Sequence, residues 1–108
     1  MSEFSKTQPV KLVLSWDIRP GWEEQYLQFV TQEFTAGMLE GGLQTTDAWY
    51  TIYGPRRPEV TMGFLAMNLE AMKQFLASQA WAKLRRKLME YVENYQQKVI
   101  HYKGGFQL

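Results

Sequence analysis

The sequence predicts an α+β domain in which a four-stranded antiparallel sheet carries its helices on one face. Three observations predict it. The hydrophobic rhythm changes between one residue in two and one in three or four, in the order β-α-β-β-α-β. Turn signals stand at the changes, at Arg19-Pro20-Gly21, Gly41-Gly42 and Gly54-Pro55-Arg56-Arg57-Pro58. Strand residues of one parity are nearly all apolar, while those of the other are mixed.

A polar segment, Met1 to Pro9, precedes the first strand, Val10 to Ile18. There Val10, Leu12, Leu14, Trp16 and Ile18 alternate with Lys11, Val13, Ser15 and Asp17. Pro20 and Gly21 then make a corner, because Pro fixes φ and Gly gives a tight turn room. Glu23 and Glu24 suit the positive end of a helix dipole. Trp22, Tyr26, Val30, Phe34 and Met38 follow at intervals of four, and Gly41-Gly42 stops the helix. Thr45 to Tyr53 and Glu59 to Met67 read as a hairpin. Asn68 suits an N-cap for a helical run that carries Leu69, Met72, Phe75 and Leu76. That run continues through Trp81, Leu84, Leu88, Val92 and Tyr95 with a bend near Ser78 to Ala80. Val99 to Tyr102 is a short last strand, so one domain spans residues 10–103, followed by the tail 104–108.

That order is the ferredoxin-like split β-α-β, with strand order 4-1-3-2 and both helices on one face. Parity assigns Leu12, Leu14, Trp16, Ala48, Tyr50, Val60, Met62, Phe64 and Ile100 to the helix side. The opposite side receives Ser15, Asp17, Trp49, Tyr53, Leu65, Met67, Val99 and His101. Trp49, Tyr53, Leu65 and Met67 are too much apolar surface for an open face in water. A second copy of the chain is therefore expected to cover it.

Composition narrows the function. The 108 residues allow one core, and 45% hydrophobic with 21% charged residues is the balance of a soluble globular protein. A net charge of +1 offers no general field for nucleic acid or an anionic membrane. Residues 1–50 hold three basic and seven acidic groups and residues 51–108 hold nine and four, so the halves differ in sign. Cysteine is absent, which removes disulfides and thiolate chemistry and makes the cytoplasm the expected compartment. The longest apolar run is Phe64 to Met67, far short of the about 20 residues of a membrane span.

Two stretches resemble the dimeric α+β barrel superfamily, particularly its antibiotic-biosynthesis-monooxygenase-like branch. They are DIRPGWEEQYLQFV, similar to that group's exit from strand one, and MGFLAMNLEAMKQFLASQAWAKL, similar to its third strand and the helix with a Ser-x-x-Trp element. The resemblance covers roughly Val10 to Tyr102 and implies two ferredoxin-like subunits that close their sheets into a barrel with a cavity. It carries over no catalytic residue. The superfamily includes cofactor-independent monooxygenases, haem-degrading enzymes, isomerases, dehydratases and proteins with no known activity. The haem-degrading branch carries its histidine on the second helical segment, whereas the single histidine here, His101, falls on the last strand.

The candidate chemistry is sparse. His101, expected near Val13 or Ser15 on the cavity face, is tuned to act as acid or base near neutral pH, or simply bonds at a dimer seam. Asp17, at the end of strand one, could act as a base or cap the corner into helix one. Trp49 and Tyr53 suit flat walls for an aromatic ligand, with Ser15, Leu65 and Met67 beside them, or packing between subunits. Glu33 falls close to the apolar arc of helix one, where burial would raise its pKa. Lys83, Arg85, Arg86 and Lys87 read as the solvated face of a helix, and Arg56 and Arg57 as an exposed hairpin tip. No phosphate loop, nucleophile elbow or clustered metal ligand appears. The reading is a homodimer that acts on or binds an apolar or aromatic small molecule and needs no cofactor, with His101 or Asp17 as base in a monooxygenase-like reaction. The alternative is a non-catalytic binding or structural dimer; haem binding through His101 fits less well.

Overall fold

The computed structural model describes residues 8–51 and 58–102. Strand β1 is Val10–Ile18, followed by helix α1 (Glu23–Phe29), a π-helical turn (Val30–Phe34) and helix α2 (Thr35–Glu40). Strands β2 (Gln44–Tyr50) and β3 (Val60–Ala66) lead to helices α3 (Leu69–Leu76) and α4 (Gln79–Leu88), and β4 (Val92–His101) closes the order. The antiparallel sheet runs β2-β3-β1-β4, the expected ferredoxin-like α+β arrangement. Tyr53, the hairpin tip with Arg56 and Arg57, residues 1–7 and the tail lie outside the described residues.

The core follows the period-two pattern of the central strands. Val10, Leu12, Leu14 and Trp16 on β1 and Val60, Met62, Phe64 and Ala66 on β3 are all buried, facing the helices. The helices answer with Tyr26, Phe29, Phe34, Met38, Met72, Phe75, Trp81 and Leu88. Phe34 packs edge-on against both Trp16 and Phe64, at 6.0 Å from each.

The turn after β1 is the expected corner. The Trp22 N–H donates to the Arg19 carbonyl at 3.0 Å, with Pro20 and Gly21 in the central positions and Gly21 at φ +89°. A type II turn demands that left-handed residue, which explains the glycine. The corner is tied down by the Arg19 N–H, which donates to the Tyr91 carbonyl at 2.9 Å.

The π-turn reconciles the four-residue spacing of helix one with helical geometry. At about 100° per residue, apolar positions four apart drift by roughly 40° each time in a regular α-helix. One widened turn inserts a residue's worth of rotation, and the Thr35 N–H donates to the Val30 carbonyl, five residues back. Tyr26, Val30, Phe34 and Met38 thus all stay buried.

Asn68 caps α3 as expected, its Oδ1 accepting from the Ala71 N–H at 2.8 Å. The expected bend is a break at which Ser78 Oγ accepts from the Trp81 N–H at 3.2 Å and caps α4.

The last third of the chain departs from expectation. The helix ends at Leu88, and Val92 and Tyr95 belong to β4 rather than to a helix. Asn94, at φ +57°, is the extra residue of a β-bulge, since Ser15 pairs with Gln96 while Asp17 pairs with Glu93. The bulge lets Val92 and Tyr95, three apart, share the helix side, where Tyr95 stacks on Trp16. It also shifts the parity beyond it. Val99 pairs with Leu12 and His101 with Val10, so both lie on the helix side, while Ile100 pairs with Lys11 on the open face. The expected assignment of Ile100, Val99 and His101 is therefore reversed.

Candidate functional site

The open face of the sheet carries Lys11, Val13, Ser15 and Asp17 of β1, Asp47 and Trp49 of β2, and Thr61, Gly63 and Leu65 of β3. Ser15, Asp17, Trp49 and Leu65 are thus on one face, as the parity predicts. Trp49 is 54% exposed, and Met67, just beyond β3, is exposed as well. Lys11 Nζ meets Asp47 Oδ2 at 3.1 Å across β3. Gly63 makes this pair possible, because a Cβ there would lie 2.4 Å from Lys11 Cε and 2.5 Å from Asp47 Oδ1.

Asp17 is engaged on both oxygens. Oδ1 accepts from the Glu59 N–H at 2.9 Å and Oδ2 from Asn94 Nδ2 at 2.8 Å. The side chain therefore joins the start of β3 and the bulge of β4 to the end of β1, instead of capping the corner into α1. Glu59 reciprocates, its Oε1 accepting from the Ile18 N–H at 2.9 Å. His101 lies opposite Val10, seven positions along β1 from Asp17, or about 23 Å at the strand rise of about 3.3 Å per residue. It does not come near Ser15, and the two expected bases stand at opposite ends of the sheet.

The helix side holds a groove of about 410 Å³ between α1 and the β2-β3 edge. Its apolar lining includes Val30, Val60 and Met62. Tyr26 and Tyr50 supply aromatic surface, Trp49 borders the groove from the edge strand, and Glu23 and Leu27 of α1 complete one side. Of the expected ligand residues that are described, Ser15, Trp49, Leu65 and Met67, Trp49 alone borders it. The groove exists because the helices cover β1 and β3 fully but leave Ala48 and Tyr50 of β2 exposed.

Polar chemistry in this groove centres on Tyr26. Its hydroxyl oxygen accepts from the Trp16 indole N–H at 3.0 Å. Burial raises the Tyr26 pKa from 10.0 to about 12; the Trp16 bond opposes the shift, and nearby Tyr50 and Glu59 add to it. The Tyr50 hydroxyl donates to Glu59 Oε2 at 3.2 Å. Its pKa is raised by burial first and then by Glu59 and Glu23.

The remaining candidates are surface groups. Glu33 is exposed and accepts from Lys87 Nζ at 3.0 Å, so it is not the buried carboxylate its helical position suggests. That bond holds the Lys87 pKa above its ordinary value. Arg85 covers the Tyr95 ring at 5.0 Å. Among the described residues no group of three or more His, Asp and Glu could hold a metal ion, and no helix is long and apolar enough to cross a membrane.

Fold and groove together define a ferredoxin-like α+β protein with one sheet face uncovered by its own helices. Solved structures similar to it support that class. A NIPSNAP-like domain protein from Burkholderia xenovorans is 20% identical, with 94% of this chain and 90% of that one covered at a TM-score of 0.67. A candidate antibiotic biosynthesis monooxygenase from Bacteroides thetaiotaomicron is 21% identical, with 94% and 96% covered at 0.59. A dimeric protein of unknown function and ferredoxin-like fold from Bacteroides fragilis is 11% identical, with 90% and 99% covered at 0.60. The sequence matches no family model and no curated protein at a significant level.

Tyr26 carries the groove's polar chemistry and Glu59, outside the lining, holds the Tyr50 hydroxyl at its edge; sequence reading assigned neither to a site. Tyr26 was legible as a core position, but its partner Trp16 lies on another element and nothing local to either residue announces the bond.

Proposed function

We propose that the protein is a homodimer that binds an apolar, aromatic-sized small molecule in the groove between α1 and β2. The groove carries the reading: it is concave, nearly all apolar, and has one buried hydroxyl, the usual composition of a small-molecule site. The homodimer is supported by the half-exposed apolar residues of the open face and by the likeness to a structure described as dimeric.

Titrating the protein with naphthalene, followed by tryptophan fluorescence, tests the site. Saturable binding is expected, and Ala48→Trp should fill the groove and abolish it, since Ala48 is exposed and lines the wall. Binding that survives Ala48→Trp would overturn the reading. Light scattering at micromolar concentration should give twice the chain mass of 12.7 kDa; a monomer would overturn the dimer.

The likeness to a candidate monooxygenase favours a second reading, oxygenation of a bound substrate that is itself deprotonated without a cofactor. His101 and Asp17, the expected bases, lie outside the groove lining. This reading therefore requires oxygen uptake with a groove ligand that is lost in Asp17→Asn or His101→Ala, and uptake unchanged in both variants would remove those residues from it.

A further inference from the structure

Tyr26 is 5% exposed and Trp16 is fully buried. The indole N–H can only donate, so in the 3.0 Å bond between them the phenol oxygen must accept. The Tyr26 proton is therefore not used by Trp16, and among the described residues it is donated to no group. A buried phenol with an unspent donor is costly unless something accepts from it. Tyr26 lines the groove, so a bound molecule is the natural acceptor.

Charge around the phenol sets the acceptor's form. Glu59 acts on both Tyr26 and Tyr50, and Glu23 acts on Tyr50 and lines the groove. No Lys or Arg among the described residues lines it. A carboxylate or phosphate entering here would meet like charge in apolar surroundings, with no cation among the described lining residues to pair with. A neutral carbonyl accepts a hydrogen bond without that penalty.

We infer that the groove selects an apolar molecule bearing a neutral carbonyl, which accepts the Tyr26 hydroxyl proton, and discriminates against the corresponding carboxylate. The inference rests on the groove being a ligand site and adds which chemical class it takes.

Three probes of one shape test it: naphthalene, 2-acetylnaphthalene and 2-naphthoate, titrated against the native protein, Tyr26→Phe and Glu23→Gln. The native protein should favour the ketone over naphthalene by about three- to tenfold, the range of one neutral hydrogen bond. Tyr26→Phe should lose that preference while keeping naphthalene, which also reports that the variant is folded. 2-Naphthoate should bind more weakly than the ketone, and Glu23→Gln should narrow the gap. Because Tyr26→Phe leaves the Trp16 N–H without its partner, the infrared carbonyl band of the ketone bound to native protein gives a second readout, and it should move to lower frequency. If naphthalene binds but the ketone gains nothing in the native protein, or naphthoate equals the ketone, the selectivity is overturned and the site stands. If none of the three binds, the site itself is overturned.

Discussion

Replacing Asp17 separates a structural carboxylate from a catalytic one. Its bond from the Glu59 N–H is 2.9 Å and partly buried, and its bond from Asn94 Nδ2 is 2.8 Å and exposed. A charge-assisted bond to a backbone N–H contributes about 1.5–3 kcal/mol when buried, and in this partly buried setting water replaces part of it. The exposed bond adds about 0.5 kcal/mol. Asp17→Ala should therefore cost about 2 kcal/mol, or about 8–10 °C in Tm for a domain of this size. Asp17→Asn keeps an oxygen for the Glu59 N–H, and the Asn94 amide can turn its own oxygen toward the new NH₂, so the loss should stay below about 1 kcal/mol. Thermal and urea unfolding at one fixed protein concentration measure both, since dimerisation would make Tm depend on concentration. Asp17→Ala within about 0.5 kcal/mol of the native protein, the ordinary range of a surface substitution, would refute the bridging role. So would an Asp17→Asn as costly as the alanine.

Four other outcomes are expected. The Tyr26 pKa is raised from 10.0 to about 12, so its contribution is fully present below pH 10 and is lost as pH rises through 12. The shift corresponds to about 3 kcal/mol, and the ultraviolet difference between native protein and Tyr26→Phe on alkaline titration should show one phenol ionising near pH 12. Gly41→Ala sets a Cβ 2.4 Å from Phe75 Cε1 and should cost about 1–3 kcal/mol by urea unfolding, partly recovered by Phe75→Leu. Gly21→Ala meets nothing within 4 Å but sits at φ +89°, so its cost of about 1–2 kcal/mol is not recovered by any neighbour. Asp17→Ala should also weaken naphthalene binding without touching the groove, because Asp17 holds the backbone of Glu59, whose carboxylate holds Tyr50; calorimetric titration reads the loss.

Most of the fold was legible because β1 and β3 carry a clean period of two and their neighbours carry a cap at Asn68 and a bend near Ser78. The last strand was not, for a specific physical reason. A bulge adds one residue, so two side chains on the same face of a strand become three apart, the spacing of a helix. Val92 and Tyr95 have that spacing and continue the stripe of Leu84 and Leu88, so the strand reads as more helix. No Gly or Pro marks the helix end between Leu88 and Val92. The one residue that tells against it is Asn94, a type that tolerates positive φ, and it decides the face of every later residue, His101 included.

The open sheet face and the groove answer to different physical demands, which is why reading one did not reveal the other. Apolar side chains at strand parity are visible in sequence, and an uncovered face rich in them calls for a flat cover such as a second subunit. A small-molecule groove needs concavity, and here that depends on how far the helices extend across the sheet, leaving Ala48 and Tyr50 of β2 uncovered. No periodicity encodes that shortfall. Glu59 joins the two surfaces, since its N–H is held by Asp17 from the open face while its carboxylate holds the Ile18 N–H and the Tyr50 hydroxyl that borders the groove. Asp17, read in the sequence as a base or a turn cap, thus reaches the groove only through Glu59, as a positioning residue that anchors the polar edge of the proposed site without lining it.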